Sequence, residues 1–110
     1  MADELVKVSI YINEADQWNH RPLHLELLKM LYEEGIAGGT VLRGVAGFTH
    51  EGRVQTTSIV DAGGKLPLVI EFIDTRAHVD RVMPAVTRMA AHRLVVAQGV
   101  ERQTGGAGVE

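Results

Sequence analysis

The sequence predicts an α+β fold whose elements follow the order β-α-β-β-α-β. Over residues 5–12 apolar residues alternate with polar ones, as in a half-buried strand. Residues 22–34 and 76–91 instead repeat their apolar residues at helical spacing. The remaining predicted strands are 37–48, 66–74 and 93–101, with a further extended piece at 53–61. This order gives the ferredoxin-like arrangement, an antiparallel sheet with two helices on one face. Right-handed crossovers put its first and third strands in the centre.

The first strand and the first helix have clear sequence signals. Alternate residues from Val6 to Ile12 point to one face of the strand. Pro22 suits the first turn of a helix, where its missing N–H is not needed. Gly35 follows the last apolar residue of the helical pattern, so we expect it to end the helix as a C-cap.

The second helix has a cap and an internal proline. Asp74 or Thr75 can accept a hydrogen bond from the first turn of this helix. Val79 and Val86 belong to the apolar face that we expect to pack on the sheet. Pro84 lies too deep to be a first-turn residue, which predicts a kink or local unwinding there.

The sheet face away from the helices is predicted to be mixed in character. Lys7 and Tyr11 of the first strand point to it, and alternation adds Val69, Ile73 and Val95. A face with this much apolar area is poorly suited to water. We therefore expect the chain to form an oligomer through it.

Length and composition describe an ordinary globular domain. The chain has 110 residues, a net charge of −3 and no cysteine, which disfavours nucleic-acid backbone binding and removes thiolate chemistry. We expect one domain over residues 1–102 and a flexible tail over 103–110. No signal peptide and no apolar run of membrane-spanning length is visible, so we expect a cytoplasmic protein.

The segment 34–56 carries six glycines among apolar residues. A phosphate-binding P-loop fails because Val45 follows Gly44 where a lysine is required. A dinucleotide fingerprint fails because no helix opens here, and the Gly-x-x-Gly loop of KH domains lies in a different context. The remaining interpretation is a bent strand, with Gly44 and Gly47 allowing close approach of a backbone or a ligand.

Several separated segments resemble one family. "EEGIAGGTVLRGVAGF" is similar to the end of the first helix and the second strand of PII-type signalling proteins, where that strand enters the T-loop. "IYINEADQWNHRPLH", "GRVQTTSI" and "LPLVIEFIDT" resemble a small PII-like family of unknown function. The resemblance covers roughly residues 5–101, in the same element order.

This resemblance implies a non-enzymatic regulator. Its implied form is a homotrimer with an adenine nucleotide in the clefts between subunits, and no tightly bound cofactor. The 48–56 loop would act on a partner protein, such as a membrane transporter or an enzyme. The lysine with which PII proteins meet phosphate has no counterpart here, which favours AMP or ADP over ATP. The implied nucleotide-binding residues are Trp18, Arg43, Gly44, Gly47, Phe48, Arg53, His92 and Arg93.

Two alternatives use the same element order. An RNA-binding module of the RRM type is opposed by the acidic charge, and alternation turns Phe72 toward the helices rather than toward RNA. A small metal-handling protein would need clustered ligands. His20 and His24 have helical metal-bridging spacing, but Pro22 lies between them and a third ligand is not evident, so we expect no metal site.

Overall fold

The structure is a computed structural model that describes residues 4–48, 53–56 and 66–105. In chain order, the elements are β1 (Glu4–Asn13), β2 (Gln17–Trp18), β3 (Arg21–Pro22), α1 (Leu23–Glu33), β4 (Thr40–Arg43), β5 (Ala46–Gly47), β6 (Gln55–Thr56), β7 (Pro67–Thr75), α2 (Arg76–Met89) and β8 (Leu94–Glu101).

The main sheet has four strands in the order β4-β7-β1-β8, and all its pairings are antiparallel. The first and third long strands of the chain, β1 and β7, are therefore central, as predicted. This arrangement confirms the α+β fold with its βαββαβ order. The boundary between domain and tail stays a prediction, since residues 106–110 lie outside the described part of the chain.

The core lies between one sheet face and the two helices. Ile10 and Phe72 on the central strands are fully buried, as are Leu27 of α1 and Val82 of α2. Each such side chain contributes about 1.5–3 kcal/mol through its removal from water. Phe72 faces the helices, which confirms its predicted direction and leaves it unable to stack on a base from the other face.

The sheet face away from the helices, called the open face below, contains one correction. Val95 lies opposite Ile10 in the β1–β8 register, so it faces the helices and packs against the core. Its prediction for the open face was wrong. The neighbours Leu94 and Val96 lie on the open face instead, because they pair with Tyr11 and Ser9. The open face is thus more apolar along β8 than alternation had indicated.

The first helix ends at a glycine in the predicted way. Gly35 has a φ of +81°, in the left-handed region. Its N–H donates to the carbonyl of Tyr32 at 3.2 Å, and the Ile36 N–H donates to that of Leu31 at 3.0 Å. These two bonds form a Schellman motif, which turns the chain from α1 toward β4.

The second helix runs without interruption through Pro84 and ends at Met89, two residues before the predicted end. The predicted local unwinding is therefore absent, and the apolar face with Val82 and Val86 stays buried on both sides of Pro84. The Thr75 hydroxyl caps the first turn by accepting from the His78 N–H at 3.2 Å.

The glycine-rich segment is not one strand over 37–48, and that prediction was wrong. Of the predicted strand, only β4 belongs to the main sheet. After β4, the Gly44 N–H donates to the carbonyl of Pro67 at 2.8 Å. Beyond this bond, β5 pairs with β6 in a separate small hairpin. The chain leaves the sheet here because β7 begins at Pro67 and offers β4 no further partners.

Candidate functional site

A groove of about 460 Å³ lies where the β1–β2 turn meets the connection between α2 and β8. It brings together three of the predicted site residues, Trp18, His92 and Arg93. The complete lining is Asp16, Gln17, Trp18, Leu23 and residues 88–93.

Trp18 is positioned by a hairpin within a segment that the sequence indicated only as a polar loop. Trp18 pairs with Arg21 across a two-residue turn in which Asn19 has a φ of 52° and His20 a φ of 65°. Positive φ at both central positions is the geometry of a type I′ turn, and asparagine tolerates it well. Trp18 is half-buried, packs against the core and lines the groove.

Arg93 is the cation of the groove that is held by an ion pair. Its guanidinium Nη2 lies 2.5 Å from the Asp16 Oδ1, and its side chain is only 28% exposed. His92 and Arg88 are exposed at the same groove. Sequence reasoning missed Arg88, although its position in the last turn of α2, five residues before Arg93, was a usable signal.

Arg43 lies at the end of β4 and is paired as well. Its guanidinium Nη2 is 3.1 Å from the Glu14 Oε1, and 54% of its side chain is exposed. The same Glu14 oxygen accepts the Leu66 N–H at 2.9 Å. The Leu66 hydrogen bond, followed by Arg43, holds the pKa of Glu14 below its ordinary value, against the opposing effect of partial burial.

Gly44 and Gly47 are explained by a contact within the chain. A Cβ at either position would lie 2.9 Å from the Pro67 Cγ, which is too close for any side chain. The ring of Pro67 therefore makes the close approach that the sequence had left to a backbone or a ligand. Phe48 and Arg53 lie near the same hairpin and are exposed, with Phe48 69% accessible.

The predicted site residues thus form two groups. Arg43 is opposite Leu68 in the register, and Leu68 is opposite Ile12. Leu94, next to Arg93, pairs with Tyr11. Both groups lie at the same end of the sheet, but on its two edge strands, about 14 Å apart at three strand spacings. Arg43 does not line the groove that contains Arg93.

The described residues also bear on metal binding and on membrane insertion. Within 4–48, 53–56 and 66–105, no group of three or more His, Asp or Glu side chains is placed to hold a metal ion. His20 belongs to the hairpin turn and His24 to α1, so the two are not successive ligands on one helix. Across these same ranges, each helix is too short or too polar to cross a bilayer.

The matching family profile is DUF190, described as "Uncharacterized ACR", and it covers residues 5–102. The chain belongs to the DUF190 family. A UPF0166 protein of Methanocaldococcus jannaschii is 32% identical over 77 residues, which is 70% of each chain. A UPF0166 protein of Aquifex aeolicus is 26% identical over 77 residues, 70% of this chain and 73% of the relative.

Solved structures with a similar fold include a PII-like protein and a CutA1 protein. CPII, a nitrogen regulatory PII-like protein from Thiomonas intermedia K12 bound to ADP, AMP and bicarbonate, matches with a TM-score of 0.70 at 14% identity, over 94% of this chain and 92% of CPII. CutA1 from Oryza sativa matches with a TM-score of 0.58 at 12% identity, over 96% and 85%. These likenesses establish a PII-like fold, and the ligands named are those of CPII.

Proposed function

We propose that this DUF190 protein is a cytoplasmic, non-enzymatic PII-like regulator. It forms a homotrimer, binds an adenine nucleotide between subunits and acts on a partner protein through the 48–56 loop. The observation that carries the proposal is the groove, which places an aromatic ring and cations together. Trp18 offers a surface for an adenine ring, and Arg93 offers a charged donor for phosphate.

The separation of Arg43 from Arg93 supports a site between subunits. The two arginines lie at opposite edges of one sheet, and Arg43 is not part of the lining of the groove that contains Arg93. In a closed ring, however, the β4 edge of one subunit can approach the β8 edge of the next. The two groups then serve as the two halves of one cleft.

The arginines of the site are already paired with carboxylates, which favours a nucleotide with few phosphates. Arg93 is already paired with Asp16, and Arg43 with Glu14. A ligand phosphate therefore competes with an internal carboxylate at each arginine. AMP or ADP asks for fewer compensating cations than ATP, and CPII, which has the same fold, is bound to ADP and AMP.

The test is isothermal titration calorimetry with AMP, ADP and ATP, with the mass in solution measured on the same samples. We expect saturable binding near one nucleotide per subunit, tighter for AMP or ADP than for ATP. Trp18→Ala and Arg43→Ala should each weaken binding by roughly 10- to 100-fold, since a stacking contact or a charge-assisted hydrogen bond contributes about 1.5–3 kcal/mol.

Arg76→Ala is the matched control, because Arg76 is an exposed arginine at the other end of α2. It should bind like the unaltered protein. A trimer that gives no heat with all three nucleotides would contradict the ligand proposed here. A single-chain mass at micromolar concentration would contradict the site between subunits.

A further inference from the structure

The acidic turn, residues 13–16, contacts both groups of site residues. Within this turn the Asp16 N–H donates to the carbonyl of Asn13 at 2.9 Å, and the Asn13 N–H donates to the Asp16 Oδ2 at 2.9 Å. The Ala15 N–H donates to the Asn13 Oδ1 at 2.8 Å. These three bonds close the turn, and the residues that they join, Asn13, Ala15 and Asp16, flank Glu14.

Toward the groove, the acidic turn presents Asp16. Its Oδ1 holds Arg93, while its other oxygen remains bonded within the turn. The carboxylate of Asp16 thus occupies the donor that a ligand anion would use. Asp16 itself lines the groove, so the two anions compete at one place.

Toward β4 and β7, the acidic turn presents Glu14. One oxygen, Oε1, accepts from both Arg43 and the Leu66 N–H, and the Glu14 N–H donates to the carbonyl of Leu66 at 3.0 Å. Arg43 ends β4, and Leu66 immediately precedes β7. Glu14 therefore fastens together the two chain positions between which β5 and β6 are formed. We call Arg43, Gly44 and Leu66 the loop root.

We propose that the acidic turn couples the groove to the loop root. An anionic ligand group that takes Arg93 from Asp16 loosens the turn and so weakens the hold of Glu14 on Arg43 and Leu66. The ligand part of this inference rests on the proposed function. The coupling between Asp16 and Leu66 is a property of the ligand-free chain and can be measured without any nucleotide.

The ligand-free test is amide hydrogen exchange read residue by residue by NMR on the full chain. In Glu14→Gln the Leu66 amide should exchange about tenfold faster, because a charged acceptor is lost. In Asp16→Asn the Leu66 amide should also exchange severalfold faster, although residue 16 makes no bond to it. The asparagine Oδ1 can still accept from the Asn13 N–H, so the turn itself can form.

Two further variants make this result interpretable. Asp80→Asn removes an exposed carboxylate from α2 and should leave the Leu66 rate unchanged. Arg93→Met breaks the same ion pair from the other side without altering the turn's own hydrogen bonds. If Leu66 exchanges at the unaltered rate in both Asp16→Asn and Arg93→Met, the coupling is overturned.

The ligand arm uses ADP as the probe. ADP should speed Leu66 exchange in the unaltered protein, and Asp16→Asn should bind ADP severalfold more tightly because the competing carboxylate is gone. Weaker binding by Asp16→Asn, or binding that leaves Leu66 exchange unchanged, would overturn the ligand part of the inference. Absence of ADP binding in every variant would overturn ADP as the ligand of the coupling, and absence of AMP and ATP binding as well would overturn the proposed function. The ligand-free comparison would still decide the coupling.

Discussion

At the scale of single residues, Asp74 is the buried charge that joins the end of β7 to the start of the chain leading to β4. Its Oδ2 accepts the Ala37 N–H at 2.9 Å, and its Oδ1 accepts the Thr75 N–H at 2.7 Å and contacts the His78 Nδ1 at 2.9 Å. Burial alone raises the pKa of Asp74, but these hydrogen bonds outweigh it and the pKa lies below the ordinary value of 3.8.

We expect Asp74→Asn to lower the free energy of unfolding by about 1–3 kcal/mol at pH 7, because an amide cannot accept at both former oxygens. A depressed pKa stabilises the fold above the unfolded value of 3.8 and loses this effect as the pH falls through the folded value. The difference between the two proteins should therefore shrink below about pH 4. Urea unfolding at pH 7, 5 and 3 measures it.

Asp80→Asn provides the control for this series, since Asp80 is an exposed aspartate on α2. Its unfolding free energy should follow that of the unaltered protein within about 0.5 kcal/mol at pH 7. A difference between Asp74→Asn and the unaltered protein that stays constant from pH 7 to pH 3 would show that Asp74 does not act through its ionised form.

At the scale of elements, the β5–β6 hairpin depends on how closely it packs on the start of β7. We expect Gly47→Ala to displace this hairpin, because a Cβ there would lie 2.9 Å from the rigid ring of Pro67. The cost should be about 1–3 kcal/mol if the hairpin keeps its place, and smaller if it moves away. Urea unfolding combined with amide exchange at Ala46 and Gln55 separates the two outcomes.

Gly99→Ala is the matched glycine control, since a Cβ at Gly99 meets nothing within 4 Å. This variant should be as stable as the unaltered protein or slightly more so. If Gly47→Ala and Gly99→Ala behave alike in both measurements, the contact with Pro67 does not fix the hairpin.

The elements also show what the sequence could predict. In β1, α1 and β7 the apolar residues recur at a spacing that fits only one face of the element. The buried faces of these three elements were therefore predicted correctly. The strand β8 was placed correctly, but its apolar residues are consecutive, and only pairing with β1 decides that Val95 faces inward. The end of β4 depends on Pro67, which is distant in sequence, and periodicity carries no such information.

Only part of the candidate site could be predicted from the sequence. The resemblance to PII-type proteins named Trp18, His92 and Arg93, and the fold brings these three to one groove. The partners of the arginines were not predicted. Glu14 and Asp16 belong to a turn whose geometry is fixed by its own hydrogen bonds and by Leu66. Ion pairs between residues that are distant in the sequence produce no recognisable sequence pattern.

At the scale of the whole molecule, the open face is an apolar surface that a single chain leaves exposed to water. Leu42, Leu94 and Val96 are each more than two fifths exposed on this face. Near its centre, Lys7 and Glu71 lie 3.3 Å apart and are both 30% exposed. A contact between chains can bury these two side chains together, because their opposite charges neutralise each other. An apolar face with its charges paired is suited to contact with further copies of the chain.

We therefore expect Leu94→Glu to weaken the assembly. It places an unpaired carboxylate on an apolar residue that is 61% exposed in the single chain, at the edge of the open face. Analytical ultracentrifugation across micromolar concentrations should show the unaltered protein at three times 12.0 kDa and the variant shifted toward 12.0 kDa. Circular dichroism at the same concentrations checks that the variant chain remains folded.

Leu25→Glu is the control for exposure, because Leu25 is 52% exposed but lies on α1, away from the open face. It should keep the mass of the unaltered protein, since the helices are not part of the proposed contact. Equal loss of assembly in the two variants would place the contact elsewhere. A folded Leu94→Glu variant that keeps the full mass would show that the open face is not the surface through which the chains associate.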